Sequence, residues 1–136
     1  MDFLKSLGVA ASGLRAQAGR MRVISENIAN ASSTSQTPGG DPYRRKIATF
    51  GRRFDRELDA QVVSLGRVRR DQAPFQVRNE PGHPAADRRG DVKLPNVNTL
   101  VESMDMREAQ RSYEANLNVV TATRRMVART IDILRA

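Results

Sequence analysis

The feature that most constrains this chain is a seven-residue rhythm of apolar side chains, present at both ends and missing between them. In the first segment Leu7, Leu14, Met21 and Ile28 form one row, with Phe3, Ala10 and Ile24 beside it and Leu4, Ala11 and Ala18 widening it. Side chains seven apart return to the same helix face after two turns, so the spacing predicts one long amphipathic helix over residues 1–30. In the last segment, 98–136, Met106, Tyr113, Val120, Val127 and Leu134 repeat the rhythm, flanked by Leu117 and Ile131. A further row of Val119, Met126 and Ile133 broadens the apolar face, while Arg124 stands where a stricter seam would be apolar. So broad a face points to contact with several helices. Asn98 or Thr99 is placed to cap the second helix.

Between the helices, over 31–97, the pattern changes to short apolar groups separated by turn residues. The polar run Ser32 to Ser35 and the Pro38-Gly39-Gly40 breaker end the first helix. Ile47 with Phe50, then Val62, Val63, Leu65 and Val68, then Phe75 with Val77, then Val92 with Leu94 mark four candidate strands, the last closed by Pro95. Asn79-Glu80-Pro81-Gly82 is expected to turn the chain, because Pro presets one turn dihedral and Gly tolerates positive φ. The expected fold is mainly α with a small β-rich middle. Its long terminal helices pair as a coiled-coil-like hairpin, with a short-stranded insertion between them.

Composition decides how such helices are stabilised. Aromatics make up 4% of the 136 residues, Trp is absent, and many of the 39% hydrophobic residues are Ala, which buries little area. Gly8, Gly13 and Gly19 lie inside the first helix, each costing about 0.8 to 1 kcal/mol relative to Ala. That cost is understandable where small residues admit a second helix. A lone pair of such helices is marginal, so the termini are expected to be loosely ordered in the monomer and fixed when neighbours cover their apolar faces. The rows Leu7, Leu14, Met21, Ile28 and Met106, Tyr113, Leu117, Val120, Val127, Ile131, Leu134 are therefore the candidate partner-binding residues.

Other classes of function find little support. With no Cys there is neither a disulfide nor a thiolate site. No apolar run approaches the roughly 20 residues needed to cross a bilayer, and Lys5, Arg15 and Arg20 break the start too often for a cleaved signal. His83, the single histidine, sits in Pro81-Gly82-His83-Pro84, and a turn residue is expected there instead of a metal ligand. No nucleophile elbow appears, and no enzyme activity, cofactor or metal is expected. Lys and Arg number 23 against 15 Asp and Glu, a formal charge of +8. Tyr43-Arg44-Arg45-Lys46 and Arg67-Val68-Arg69-Arg70 could neutralise phosphates, so a basic nucleic-acid-binding protein is the rival reading. Stacking aromatics are scarce and no nucleic-acid-binding signature is present. Arg44, Arg45 and Lys46 could instead meet acidic patches on neighbouring subunits.

Ser25-Glu26-Asn27-Ile28-Ala29-Asn30 resembles the Asn-rich signature near the N-terminus of the flagellar rod and hook axial proteins, with Ser25 and Glu26 where Ala or Asn is more usual. Four later stretches extend the resemblance in order along the chain. They are Asp41-Pro42-Tyr43-Arg44-Arg45-Lys46, then Glu80-Pro81-Gly82-His83-Pro84-Ala85-Ala86-Asp87, then Gly90-Asp91-Val92-Lys93-Leu94-Pro95-Asn96-Val97-Asn98, and finally Arg111-Ser112-Tyr113-Glu114-Ala115-Asn116. The resemblance implies a subunit of the proximal rod of the flagellar basal body, exported unfolded by the flagellar type III apparatus. It implies an inner tubular layer made by the paired terminal helices and a β-rich outer part made by the middle. The implied partners are other copies of the chain, the homologous rod proteins FlgB, FlgF and FlgG, FliE and the MS ring. It also gives Asn27 and Asn30 an assembly role beside the plainer one of ending the first helix.

Overall fold

The computed structural model describes residues 2–135; the end residues of the expected segments 1–30 and 98–136 lie outside them. Helix α1 spans Phe3–Ala29 and helix α2 spans Thr99–Arg135, and six short strands lie between them. These are β1 (Lys46–Ile47), β2 (Phe50–Asp55), β3 (Ala60–Leu65), β4 (Arg69–Arg70), β5 (Gln76–Asn79) and β6 (Asp91–Leu94). They pair antiparallel as three separate ribbons, β1 with β4, β2 with β3 and β5 with β6. The fold is the expected one of two long helices and a small strand-rich middle. Ile47 and Phe50, read together as one candidate strand, fall in two strands with different partners.

Side chains fix the helix ends. Asp2 Oδ1 accepts the free N–H groups of Leu4 and Lys5 at 3.1 and 3.2 Å, which makes Asp2 the cap of α1. Asn98, and not Thr99, caps α2, accepting from Leu100 and Val101 at 3.0 and 3.3 Å. At the other end of α1 the Asn30 backbone and side-chain amides both donate to the Glu26 carbonyl.

The chain divides into two compact units, and each helix contributes to both. In the unit made of residues 2–21, 48–67 and 107–135, α1 is packed on two sides. On one side lies the β2–β3 hairpin, where Ser12 Oγ accepts the Val63 N–H at 3.2 Å and Lys5 pairs with Asp59 at 2.9 Å near the hairpin tip. A Cβ at Gly8 would meet Leu58 at 2.5 Å, and one at Gly19 would meet Leu65 at 2.8 Å. On the other side α2 runs antiparallel: Arg20 meets Glu108, Gly13 faces Asn116, and Phe3 and Leu7 share a cavity with Thr123 and Val127. The glycines do permit close approach, but two of the three admit leucines of the hairpin.

The unit made of residues 22–47 and 68–106 holds β1–β4 and β5–β6. Ala85, Val92, Pro95 and Val97 are among its buried residues. A turn forms where Asn79 to Gly82 was expected to turn the chain, closed by the His83 N–H donating to the Glu80 carbonyl at 3.0 Å, but Gly82 does not take the positive φ on which the expectation rested. A second loop precedes β6, where Asp87 Oδ1 accepts from Arg89 N at 2.7 Å and Asp91 N at 3.0 Å. The backbone donors of Asp91 and Arg89 hold the Asp87 carboxyl below its ordinary value. Gly90 completes this loop at φ +83°, and a Cβ there would meet the Pro81 Cα at 3.1 Å. Gly90→Ala is therefore expected to lower stability by about 1–3 kcal/mol, whereas Gly82→Ala, with nothing within 4 Å of its added Cβ, leaves the thermal midpoint unchanged. Thermal melts of the two variants against the parent chain check the contrast.

Candidate assembly interface

The largest fully buried side chain is not apolar. Glu102, with no exposed surface, is held beside Asn27, itself 1% exposed. Asn27 uses its whole amide: Nδ2 donates to the Lys46 carbonyl at 2.8 Å and to Glu102 Oε2 at 3.1 Å, while Oδ1 accepts from the Tyr43 hydroxyl at 2.8 Å and the Lys46 N–H at 2.9 Å. The Arg45 Nε donates to Glu102 Oε1 at 2.5 Å, and its terminal nitrogens reach Asp71 at 3.4 Å and Asp105 at 3.7 Å. Asn96 then accepts the Arg45 N–H at 2.8 Å. A carboxylate taken out of water is tolerated only when its charge and lone pairs are satisfied, and here they are.

This cluster also decides the fate of the basic run. Burial works against the Arg45 charge, but the Glu102 hydrogen bond and charge, helped by Asp71, outweigh it and raise the Arg45 pKa. Arg44 stacks on Phe75 with its guanidinium 4.1 Å from the ring centre and donates to the Asp71 and Ala73 carbonyls. Lys46 pairs with Glu26. The three cations are thus engaged within the chain. Tyr43 has its pKa pushed up to about 12, by burial first and then by the charges of Glu26 and Glu102.

The remaining candidate residues sort by how far the chain covers them. Leu7, Leu14 and Met21 are half-buried on α1, and Ile28 is exposed. Asn30 closes its own helix end. On α2, Met106, Tyr113, Val120 and Val127 are half-buried, while the row beside them holds the fully buried Glu102, Ala109 and Thr123 with Asn116 half-buried. Large apolar residues mark the edge of the seam and small or polar ones its centre. Leu117 and Ile131 are 44% and 46% exposed, and Leu134 is 81% exposed. Leu134 ends its row in solvent because α2, at 37 residues, is longer than the 27-residue α1, whose first turn already lies against Thr123 and Val127. Val119, Met126 and Ile133 add a second exposed ridge.

No group of three or more metal-binding side chains occurs among the described residues, and none of the described helices is long and apolar enough to cross a membrane. His83 Nδ1 accepts the Ala85 N–H at 3.0 Å, the part of a turn residue.

Comparison with known proteins adds a family context to this geometry. Residues 7–35 match the flagella basal body rod protein family, and residues 88–133 match the C-terminal family of the flagellar basal body rod FlgEFG proteins. The flagellar basal-body rod protein FlgC of Agrobacterium fabrum is 53% identical over 94% of this chain and 92% of its own length. FlgC of Borreliella burgdorferi is 38% identical over 99% of both chains, and FlgC of Salmonella typhimurium is 36% identical over 98% of both.

Two outcomes follow from the buried cluster. Arg45→Ala strands the Glu102 carboxylate and is expected to cost about 3–5 kcal/mol in denaturant unfolding, most of it regained in Arg45→Ala/Glu102→Leu. The fold favours the neutral Tyr43 phenol, so that stabilisation is complete below the unfolded value of about 10 and lost as pH rises through about 12. In a Tyr113→Phe background, where Tyr43 is the one remaining tyrosine, the phenolate absorbance near 295 nm is expected to emerge about two pH units above that of free tyrosine.

Proposed function

The chain belongs to the FlgC family of flagellar basal-body rod proteins, and on that premise we propose that it polymerises through its terminal helices into the proximal part of the rod. It is a structural subunit of the rod of the flagellar basal body. In the proposed assembly, the helical segments 1–30 and 98–136 form the axial layer and the middle, 31–97, the outer part. The contacts fall on Leu7, Leu14, Met21, Ile28, Asn27 and Asn30 of α1, and on Met106, Tyr113, Leu117, Val120, Val127, Ile131 and Leu134 of α2. Neighbours are other copies and FlgB, FlgF, FlgG, FliE and the MS ring, reached after export by the flagellar type III apparatus. Within the rod the subunit transmits torque from motor to hook and catalyses nothing.

The observation that carries this reading is the exposure of apolar side chains on α2. Leu117, Val119, Met126, Ile131, Ile133 and Leu134 lie uncovered on the final turns of one helix. Exposed large apolar side chains gathered on one helix mark a place where something else packs. A helix advances about 100° per residue, so Leu117 with Ile131 and Val119 with Ile133 flank the buried face on opposite sides. Ile131 also borders the cavity that Phe3, Leu4 and Leu7 of α1 line, whereas the ridge of Val119, Met126 and Ile133 lies away from it.

That separation makes the proposal testable without confusing assembly with folding. Ile133→Glu and Leu134→Glu place charge where the chain itself buries little, the two side chains being 76% and 81% exposed, so the melting of the isolated protein is expected to shift by no more than about 0.5 kcal/mol equivalent. Cells carrying either variant are expected to lose swimming, with rods missing from isolated basal bodies. Normal motility with intact rods in both variants would falsify the assignment of contacts to this end of α2.

A further inference from the structure

The helical seam lacks an obvious reason to settle in one alignment. The buried side chains of the two helices include Ala10, Ala16, Val23 and Ile24 on α1 and Ala109 and Thr123 on α2. The alanines among them exchange places when one helix slides by two turns, with little change in the area removed from water. Hydrophobic burial is non-directional and chooses weakly between such registers. Hydrogen bonds between buried polar groups do choose, because a slipped partner leaves a donor or a charge unmatched.

We propose that the buried cluster of Asn27, Glu102 and Arg45 sets the register of α1 against α2. The segment Tyr43 to Lys46 is fastened to α1 through the Asn27 amide, which both donates to and accepts from Lys46 and accepts from Tyr43. From that segment Arg45 reaches across to Glu102 and Asp105 of α2, while Asn27 meets Glu102 directly. The three groups thus close a triangle between α1, the following loop and α2. A slip of one heptad parts Glu102 from both of its partners. Buried polar positions in paired helices are known to select alignment in this way, at some expense in stability. Asp71 and Asp105 remain beside Arg45 when Glu102 is replaced, so the cluster can be emptied without stranding the arginine.

The absence of cysteine makes the test direct, since any disulfide found is an introduced one. Gly13→Cys with Asn116→Cys reports the observed register, because a Cβ at Gly13 lies 3.0 Å from Asn116 Cγ. Gly13→Cys with Thr123→Cys, or with Ala109→Cys, reports a slip of one heptad in either direction. Each pair is oxidised in the dilute full-length chain, and the intramolecular disulfide is measured by peptide mapping. With the cluster intact, only the first pair is expected to close. In Asn27→Leu/Glu102→Leu, a slipped pair is expected to close in yield comparable with the native one, while circular dichroism shows the helices retained. If that variant is helical and still closes the native pair alone, the proposal is overturned. If it loses its helices, Glu102→Gln decides in its place. That substitution leaves Asn27 an acceptor and removes the charge that draws Arg45 to α2 at this position, so a slipped disulfide supports the proposal and an exclusively native one refutes it.

Discussion

The unit of residues 22–47 and 68–106 closes around a carboxylate buried where a heptad seam normally places a leucine. Glu102 is fully enclosed, and both of its carboxylate oxygens are hydrogen-bonded, one by Asn27 and the other by Arg45. A charge in such a place is costly unless every partner is present. The partners come from α1 and from the loop that follows it, so the helix end, the loop and the start of α2 must form together. Asn27 lies in α1, Tyr43 to Lys46 close over it, and Asn96 of the loop before α2 braces the Arg45 backbone. A chain with few aromatics and many alanines gains in this way a specificity that its apolar burial does not provide.

In the unit that holds the β2–β3 hairpin, the same economy of large side chains is handled differently. Glycine and serine on α1 make room for the leucines of the hairpin, with Leu58 over Gly8 and Leu65 over Gly19, and Ser12 receiving a strand N–H. Each interior glycine weakens an isolated helix by roughly 1 kcal/mol, and the compensation here is contact on both sides of α1. Having the hairpin on one flank and α2 on another, α1 has little apolar surface left uncovered beyond Leu4, Val9 and Ile28. The exposed ridges belong overwhelmingly to α2.

How much of this was legible in the sequence follows from what each signal measures. Seven-residue rows of large apolar side chains located both helices to within a residue or two of their ends, and Asn98, Pro95 and the Asn79 to Gly82 turn marked boundaries through local chemistry that needs no tertiary partner. The central row of α2 escaped notice because its members, Glu102, Ala109, Asn116 and Thr123, are the wrong kind of residue for a search by hydrophobicity. The docking of the hairpin on α1 was hidden as well: glycines announce close approach but not what approaches. Arg45 read as surface charge because its counter-charges Asp71, Asp105 and Glu102 are distant in sequence. The Asn27 amide could be suspected only from the motif containing it, since its four hydrogen bonds depend on a loop that no periodicity predicts.

The placement of the ridges bears on what kind of assembly such a subunit can enter. Were the uncovered apolar residues confined to one face of α2, a two-fold dimer would bury them all and association would stop there. Val119, Met126 and Ile133 lie instead to one side of the buried face, and Leu117 and Ile131 to the other. A partner seated on the first ridge leaves the second in water. The helix overrun past α1 adds Leu134 as a third uncovered position. Unlike surfaces on opposite flanks favour head-to-tail contacts, which either close into a ring or continue as a helix. In a propagating array of that kind each added copy would cover one neighbour's ridge and offer its own.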